Sequence, residues 1–208
     1  MEIIFAGAGA LGRVIYDFIY EKYNVVACVD DKPPKDHLFL DNIPVKNIDE
    51  ISDYELSNAR FVLSVLKPND RISIVKRIMS RTGSFITYID QTSFVSPFSS
   101  IGNGSIILPY SFIINKAKLG NYVHIHFNTT IGHDVVVENY CSFAPQCVIG
   151  GYARIGKGVT LGMGAKVLPQ ITIGDFATIG AGAVVTADVP SGATVVGNPA
   201  QVVKINRR

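Results

Sequence analysis

From Val95 to Val185 an apolar side chain recurs at every sixth position without insertion: Val95, Ile101, Ile107, Ile113 and Leu119 open the series, and Ile173, Ile179 and Val185 close it. Phe143 is the one non-aliphatic member. The next position is Gly at 102, 120, 132, 150, 156, 162, 174 and 180. The position four after each apolar residue is small or β-branched, from Ser99 and Ser105 through Cys141 and Cys147 to Val189. A period of six fits neither the ~3.6-residue helix nor the alternation of a long strand. It is a hexapeptide repeat, in which each short strand sends one aliphatic group to the axis of a solenoid. Three strands close a triangular coil, so residues eighteen apart stack, and Ile113, Ile131, Ile149 and Val167 are expected to share one inner column. The small residue is expected to fit the tight corner, and Gly to free the backbone where it turns.

Residues 1 to 90 follow another grammar. Strand-like runs at Glu2 to Ala6, Val25 to Asp30 and Phe61 to Val65 alternate with helix-like runs at Leu11 to Tyr23 and Arg71 to Arg81, the rhythm of a small parallel sheet. The first strand enters Gly7-Ala8-Gly9-Ala10-Leu11-Gly12, and Asp30 ends the next strand. This is GxGxxG in the context its mechanism requires. Gly7 permits the turn, Gly9 lets the backbone approach a phosphate, and the amides opening the helix attract the anion. A tight strand-to-helix turn with no ligand gives the same pattern. A span of 1–90 is half of a full dinucleotide fold, room for one nucleotide unit, so a nucleoside diphosphate carried on a sugar fits better than NAD. The chain therefore divides into a nucleotide-sugar-binding domain at 1–90 and a solenoid with a closing segment at 91–208.

Charge and cysteine usage narrow the partners. Nineteen basic and seventeen acidic residues are scattered, with no basic tract beyond Arg207-Arg208, which speaks against nucleic-acid and membrane surfaces. Met1-Glu2 runs directly into Ile3 to Ala6, with no signal peptide and no apolar run near the roughly 20 residues of a membrane span, so the expected compartment is the cytoplasm. Cys28, Cys141 and Cys147 have no CxxC spacing and read as reduced, buried thiols.

Three of the four histidines, His124, His126 and His133, fall within ten residues. Three imidazoles can hold zinc, as in the β-helical carbonic anhydrases, but the spacing here does not resemble that family's, and no metal is expected. His124 and His126 read equally well as surface residues without a role. His133 differs because it lies in Ile131-Gly132-His133-Asp134, and the residue one coil on is Gly151. A neutral imidazole, with a reference pKa of ~6.5, can take a proton from an amine or hydroxyl. Asp134 can fix its tautomer, and the Gly151 amide can stabilise an oxyanion as an acyl carbon becomes tetrahedral.

The whole chain resembles the bacterial family of sialic-acid O-acetyltransferases and UDP-amino-sugar N-acetyltransferases. The matching segments are the GAGALGR loop, Val29-Asp30-Asp31, the IGHD motif and the terminal Val196-Gly197-Asn198-Pro199-Ala200. The resemblance implies an α/β plus all-β chain, a small Rossmann-like N-terminal domain followed by a left-handed parallel β-helix; the handedness comes from the resemblance alone. It implies His133 as catalytic base, Asp134 as its orienter and Gly151 as donor to the thioester carbonyl. It further implies that Gly7, Gly9, Ala10, Leu11, Gly12, Asp30 and Asp31 hold the nucleotide of the sugar. Acetyl-CoA, as acyl donor, is expected along Gly162, Gly164, Lys166, Gly180, Gly182, Gly197, Pro199 and Ala200, in a homotrimer. Some members carry a second His nine residues beyond the base that contacts acetyl-CoA. Here Ser142 stands in its place, able to hydrogen-bond but not to carry that charge.

The expected activity is acetyl-CoA-dependent N-acetylation of a nucleotide-linked 4-amino-4,6-dideoxy sugar for surface polysaccharide or lipopolysaccharide. Sialic-acid O-acetylation is the alternative within the class, and it leaves the glycine loop idle. A nicotinamide-dependent oxidoreductase explains the loop but not the solenoid or His133, and a purely structural β-helix explains neither the loop nor the His-Asp pair.

Overall fold

The computed structural model describes residues 1–32, 38–40, 42–81 and 83–205, apart from the side chains of residues 53 and 54. The Arg207-Arg208 end lies outside the described residues. The chain forms two compact units, Met1–Thr87 and Tyr88–Arg208.

In the first unit, β1 (Glu2–Ala6), α1 (Ala10–Ile19) and β2 (Asn24–Val29) build the expected βαβ start. β3 (Leu38–Phe39), β4 (Ile43–Lys46), α2 (Asp53–Asn58), β5 (Ala59–Leu63) and α3 (Pro68–Ser80) follow. The sheet order is β3-β4-β2-β1-β5, parallel except for β3. β1 is central, and Ile3, Ile4, Phe5 and Ala6 are fully buried, as a parallel strand covered on both faces requires. α1 turns Leu11, Gly12, Ile15 and Ile19 inward. It stops at Ile19, short of Tyr23, because Lys22 and Tyr23 both fold their amides onto the Ile19 carbonyl before β2 begins. β4 and α2 carry no clear period in the sequence, since Pro44 interrupts the one and the other is a short turn closed by a Ser52–Glu55 capping box.

The second unit is a left-handed parallel β-helix of two-residue strands stacked in three sheets. The register is the hexad register: Ile113 pairs Ile131, Ile131 pairs Ile149, and Ile149 pairs Val167, all buried on the axis. Ladder pairing begins one hexad earlier than Val95, at Tyr88–Ile89. From Ser105 to Ala165 the small corner residues are enclosed, and those with a donor use it: Ser105, Ser111, Thr129, Cys141 and Cys147 each bond a carbonyl of the next coil. The last coil is shortened, since Thr194 rather than a residue eighteen on pairs Thr178, and Gln201–Ile205 then folds back antiparallel on Ala193–Val196.

The role of the repeat glycines needs correction. The left-handed turn falls two positions beyond them, at Tyr110, Lys116, Tyr122, Asn128, Asp134, Tyr140, Gln146, Tyr152, Gly158 and Gly164, with φ of 56° to 69°. The glycines after the aliphatic position are needed for close approach instead. A Cβ on Gly150 would lie 2.5 Å from the Pro169 nitrogen, and one on Gly162 would lie 2.5 Å from the Ala181 nitrogen. Coil spacing, not turn conformation, demands the bare backbone.

Cys28, Cys141 and Cys147 are all buried and are not joined in disulfides. Burial pushes Cys28 and Cys147 up to about 12, so both remain thiols. Among the described residues no helix is long and apolar enough to cross a membrane.

Candidate active site

His133 and Asp134 follow the strand Thr130–Ile131, at the corner leading to Val136–Val137. Asp134 occupies the left-handed turn position, with φ of 58°, which Asp tolerates better than most residues with a Cβ. The turn folds its carboxylate toward its neighbour, and Oδ2 lies 3.0 Å from His133 Nδ1. A carboxylate on this bond accepts, so a neutral imidazole that donates to it from Nδ1 presents its lone pair at Nε2. The His133 side chain is 54% exposed, which leaves Nε2 accessible to a reactant.

One coil on, Gly151 is buried against the ring. A Cβ there would lie 2.5 Å from His133 Nε2 and 2.7 Å from Cε1. Coil stacking enforces the approach, because the Tyr152 amide donates to the His133 carbonyl at 3.0 Å. The Tyr152 ring meets the imidazole edge-to-face, with centroids 5.0 Å apart. At the equivalent turn position of another corner, the amides of Asn103, Asn121 and Lys157 donate to Oδ1 of Asn121, Asn139 and Asp175 one coil on. The residue one coil beyond Gly151 is Pro169, whose side chain offers no acceptor. A base with an exposed lone pair beside such an amide is suited to proton removal coupled to oxyanion formation.

In the first unit, Gly7 has φ +119°, and a Cβ on it would lie 2.9 Å from Val65 Cγ2. Gly12 brings α1 against the sheet, where a Cβ would lie 2.9 Å from the Gly7 carbonyl oxygen. Gly9 is different: a Cβ there meets nothing within 4 Å, and as N-cap it offers α1 no side-chain acceptor. The Ala10 and Leu11 amides therefore open the helix without a capping side chain. Asp30 braces this loop, since Oδ2 accepts the Ala8 amide at 2.9 Å and Oδ1 the Lys32 amide at 2.8 Å. Arg77 Nη1 reaches both Asp31 oxygens, at 2.8 and 2.7 Å, and these hydrogen bonds raise the guanidinium above its ordinary value.

A cavity of ≈ 270 Å³ is lined by Gly7, Asp30, Asp31 and Lys32 on one side and by Val65, Asp70, Ser73 and Ile74 on the other. The second group was not among the sequence candidates. It joins the first because β5 lies beside β1 on the side away from β2, so the chain crosses over at the carboxyl ends of these strands, where open α/β sheets bind ligands.

The residues expected to hold acetyl-CoA form a second constellation. Gly164 and Gly182 stack with φ of +69° and +67°, and a Cβ on either meets open space. Lys166 pairs Val184, whose amide donates to Gly197 O at 3.0 Å and whose carbonyl accepts the Ala200 amide at 2.8 Å. Lys166 is thus drawn to the Gly197, Pro199 and Ala200 segment. Gly162 and Gly180 serve coil contact, against Ala181 and Val196. Within one chain these turns border the edge of the Ile131 sheet opposite His133: they lead into its strands Lys166–Val167 and Val184–Val185, whereas His133 follows Thr130–Ile131 out of it. Ser142 lies on a different sheet, paired with His124 and Thr160, and is 1% exposed.

The surface reading of His124 is overturned. It is 1% exposed, within an outward column of Ile106, His124 and Ser142 that is enclosed throughout. Its strand position faces away from the aliphatic axis, which is why the hexad pattern did not reveal its burial. Among the described residues no three His, Cys, Asp or Glu side chains gather in a metal-binding group.

A hexad-register β-helix with a His-Asp pair at one corner defines a hexapeptide-repeat transferase, and the chain belongs to that family. It matches the bacterial transferase hexapeptide (six repeats) over 98–133, 116–151 and 152–187, and the PglD N-terminal domain over 2–78. It is similar to a GDP-perosamine N-acetyltransferase of Escherichia coli O157:H7, 38% identical over 57% of this chain and 56% of that one. It is also similar to a serine acetyltransferase of Helicobacter pylori, 32% identical over 66% of this chain and 73% of that one. The acetyltransferase domain of PglB from Neisseria gonorrhoeae, solved with acetyl coenzyme A, superposes with a TM-score of 0.86 at 25% identity, covering 97% of this chain and 98% of that one. The chain spans about half the length of the first curated relatives it matches.

Proposed function

We propose that the chain is an acetyl-CoA-dependent N-acetyltransferase acting on the amino group of a nucleotide-linked 4-amino-4,6-dideoxy sugar in surface-glycan biosynthesis. The observation that carries this reading is the His133 imidazole, oriented by Asp134 and seated on Gly151. As the sugar amine attacks the thioester carbonyl, His133 Nε2 takes its proton and the Gly151 amide stabilises the oxyanion. Collapse breaks the carbon–sulfur bond, and the imidazolium returns the proton to the coenzyme A thiolate. The perosamine and PglB relatives support an amino-sugar acceptor and an acetyl donor.

The first unit supports the nucleotide assignment. Gly9 to Leu11 offer open amides for a diphosphate, and the adjoining cavity offers apolar walls at Val65 and Ile74 with carboxylates at Asp31 and Asp70 for the nucleoside. A nicotinamide oxidoreductase would leave His133 and the solenoid without a part. The second reading within the class, sialic-acid O-acetylation, leaves the glycine loop unused.

Two further elements belong to the proposal. The assembly is a homotrimer, in which one subunit's Gly164–Lys166 and Gly182 turns face another's His133; the outward column Phe94, Phe112, Thr130 and Val148 of the intervening sheet, apolar except for Thr130, supports this. The compartment is the cytoplasm, where acetyl-CoA and nucleotide sugars are made. The test is to incubate the protein with acetyl-CoA and either a panel of nucleotide-linked amino sugars or sialic acid while following free thiol. Thiol release only with a 4-amino sugar supports the reading, and release only with sialic acid replaces it.

A further inference from the structure

Tyr152 is one of four tyrosines, with Tyr110, Tyr122 and Tyr140, that stand at left-handed corners of the solenoid. It occupies a left-handed corner, with φ of 63°, a conformation that favours Asn, Asp and Gly over an aromatic. It is 54% exposed, so core burial does not ask for the ring either. Tyr122 and Tyr140, at another corner, stack on each other with centroids 5.1 Å apart. The Tyr152 ring instead stands edge-to-face on His133, at 5.0 Å and 89°.

The geometry points to Tyr152 as a positioning residue that holds the His133 imidazole in its proton-accepting orientation. The His133 side chain is half open to solvent, and Asp134 restrains it at Nδ1 alone. That single hydrogen bond opposes rotation about the Cβ–Cγ bond, but whenever it breaks the ring can turn and carry Nε2 away from the Gly151 amide. Gly151 closes the space beside Nε2, Cε1 and Cδ2, and the Tyr152 ring walls off a further direction. The wall is held in register with the ring it supports, because the Tyr152 amide donates to the His133 carbonyl at 3.0 Å. Three consecutive features of the coil stack thus act on one imidazole: a carboxylate at Nδ1, a bare Cα beside Nε2, and an aromatic ring across the plane. The aromatic contact needs the ring and not the hydroxyl.

This inference rests on the proposed general-base role of His133, and its test separates the two. Tyr152→Asn removes the ring while keeping a residue suited to φ near +60°, and Tyr152→Phe keeps the ring. In Tyr152→Asn, kcat is expected to fall about two- to tenfold, the scale of one aromatic pair. KM for acetyl-CoA should stay unchanged, and Tyr152→Phe should retain wild-type turnover. In parallel, ¹⁵N shifts of the His133 ring report the tautomer without any substrate. The wild type and Tyr152→Phe should show one tautomer with the proton on Nδ1, and Tyr152→Asn a mixture. An unchanged tautomer in Tyr152→Asn, or equal damage from Phe and Asn, overturns the positioning role. Absence of turnover in the wild type with every amino sugar overturns the acetyltransferase reading instead, while the ring shifts still decide the role of Tyr152.

Discussion

At the scale of single residues, the candidate chemistry depends on two side-chain choices at one corner, His133 and Asp134, and on the lack of a side chain at Gly151 one coil on. His133→Ala should reduce kcat by about 10² to 10⁴, the usual cost of losing a positioned base, with acetyl-CoA binding retained. Asp134→Asn should cost less, since an amide oxygen can still accept from Nδ1 but stabilises the imidazolium poorly. Steady-state rates of folded variants at saturating substrates check both, and near-wild-type turnover of His133→Ala would remove it as the base. Gly151→Ala is a sharper test of geometry. The added methyl would fall 2.5 Å from Nε2, so the imidazole must move, and activity should drop at least about tenfold with little loss of melting temperature. A Gly151→Ala enzyme of normal rate would mean that the ring need not sit where it does.

At the scale of elements, the glycine loop and the coil corners use the same residue for different physical ends. Gly7 is demanded by its φ of +119° and Gly12 by helix-to-strand contact, whereas Gly9 borders open space. Gly9→Val should therefore fold, but crowd the helix N-terminus and raise KM for the sugar nucleotide far more than KM for acetyl-CoA. Equal rises in both constants would point to general loosening of the fold. The same motif letters are legible in the sequence, but not which glycine borders open space, because that depends on Phe39 and Val65 arriving from later segments. Asp30 is a similar case. Its place at the end of a strand suggests a sugar contact, and in the folded loop each of its oxygens already receives a backbone amide.

At the scale of the whole molecule, the two constellations of the β-helix border opposite edges of one sheet, and association of copies is what would bring them together. Light scattering at micromolar protein should give three times the mass of the 22.5 kDa chain. Replacing Phe112, which is 47% exposed on the face proposed to associate, by Asp should lower both that mass and the turnover. A fully active monomer would break the link between assembly and activity.

The sequence by itself determined what repeats. Six-residue periodicity sets the strand register and the eighteen-residue stacking, so the inner column, the pairing of Ile131 with Ile149 and the meeting of His133 with Gly151 follow from counting. Only the tertiary structure decided what depends on neighbours from other coils or strands. It moved the left-handed turn from the repeat glycines to residues such as Asp134 and Tyr152, enclosed His124, and brought Asp70 and Ser73 to the cavity beside Gly7. The physical reason is the range of the interaction. A periodic backbone dictates contacts at fixed sequence separation, whereas coil spacing, outer-face burial and the crossover of a sheet arise from segments whose separation no local pattern encodes.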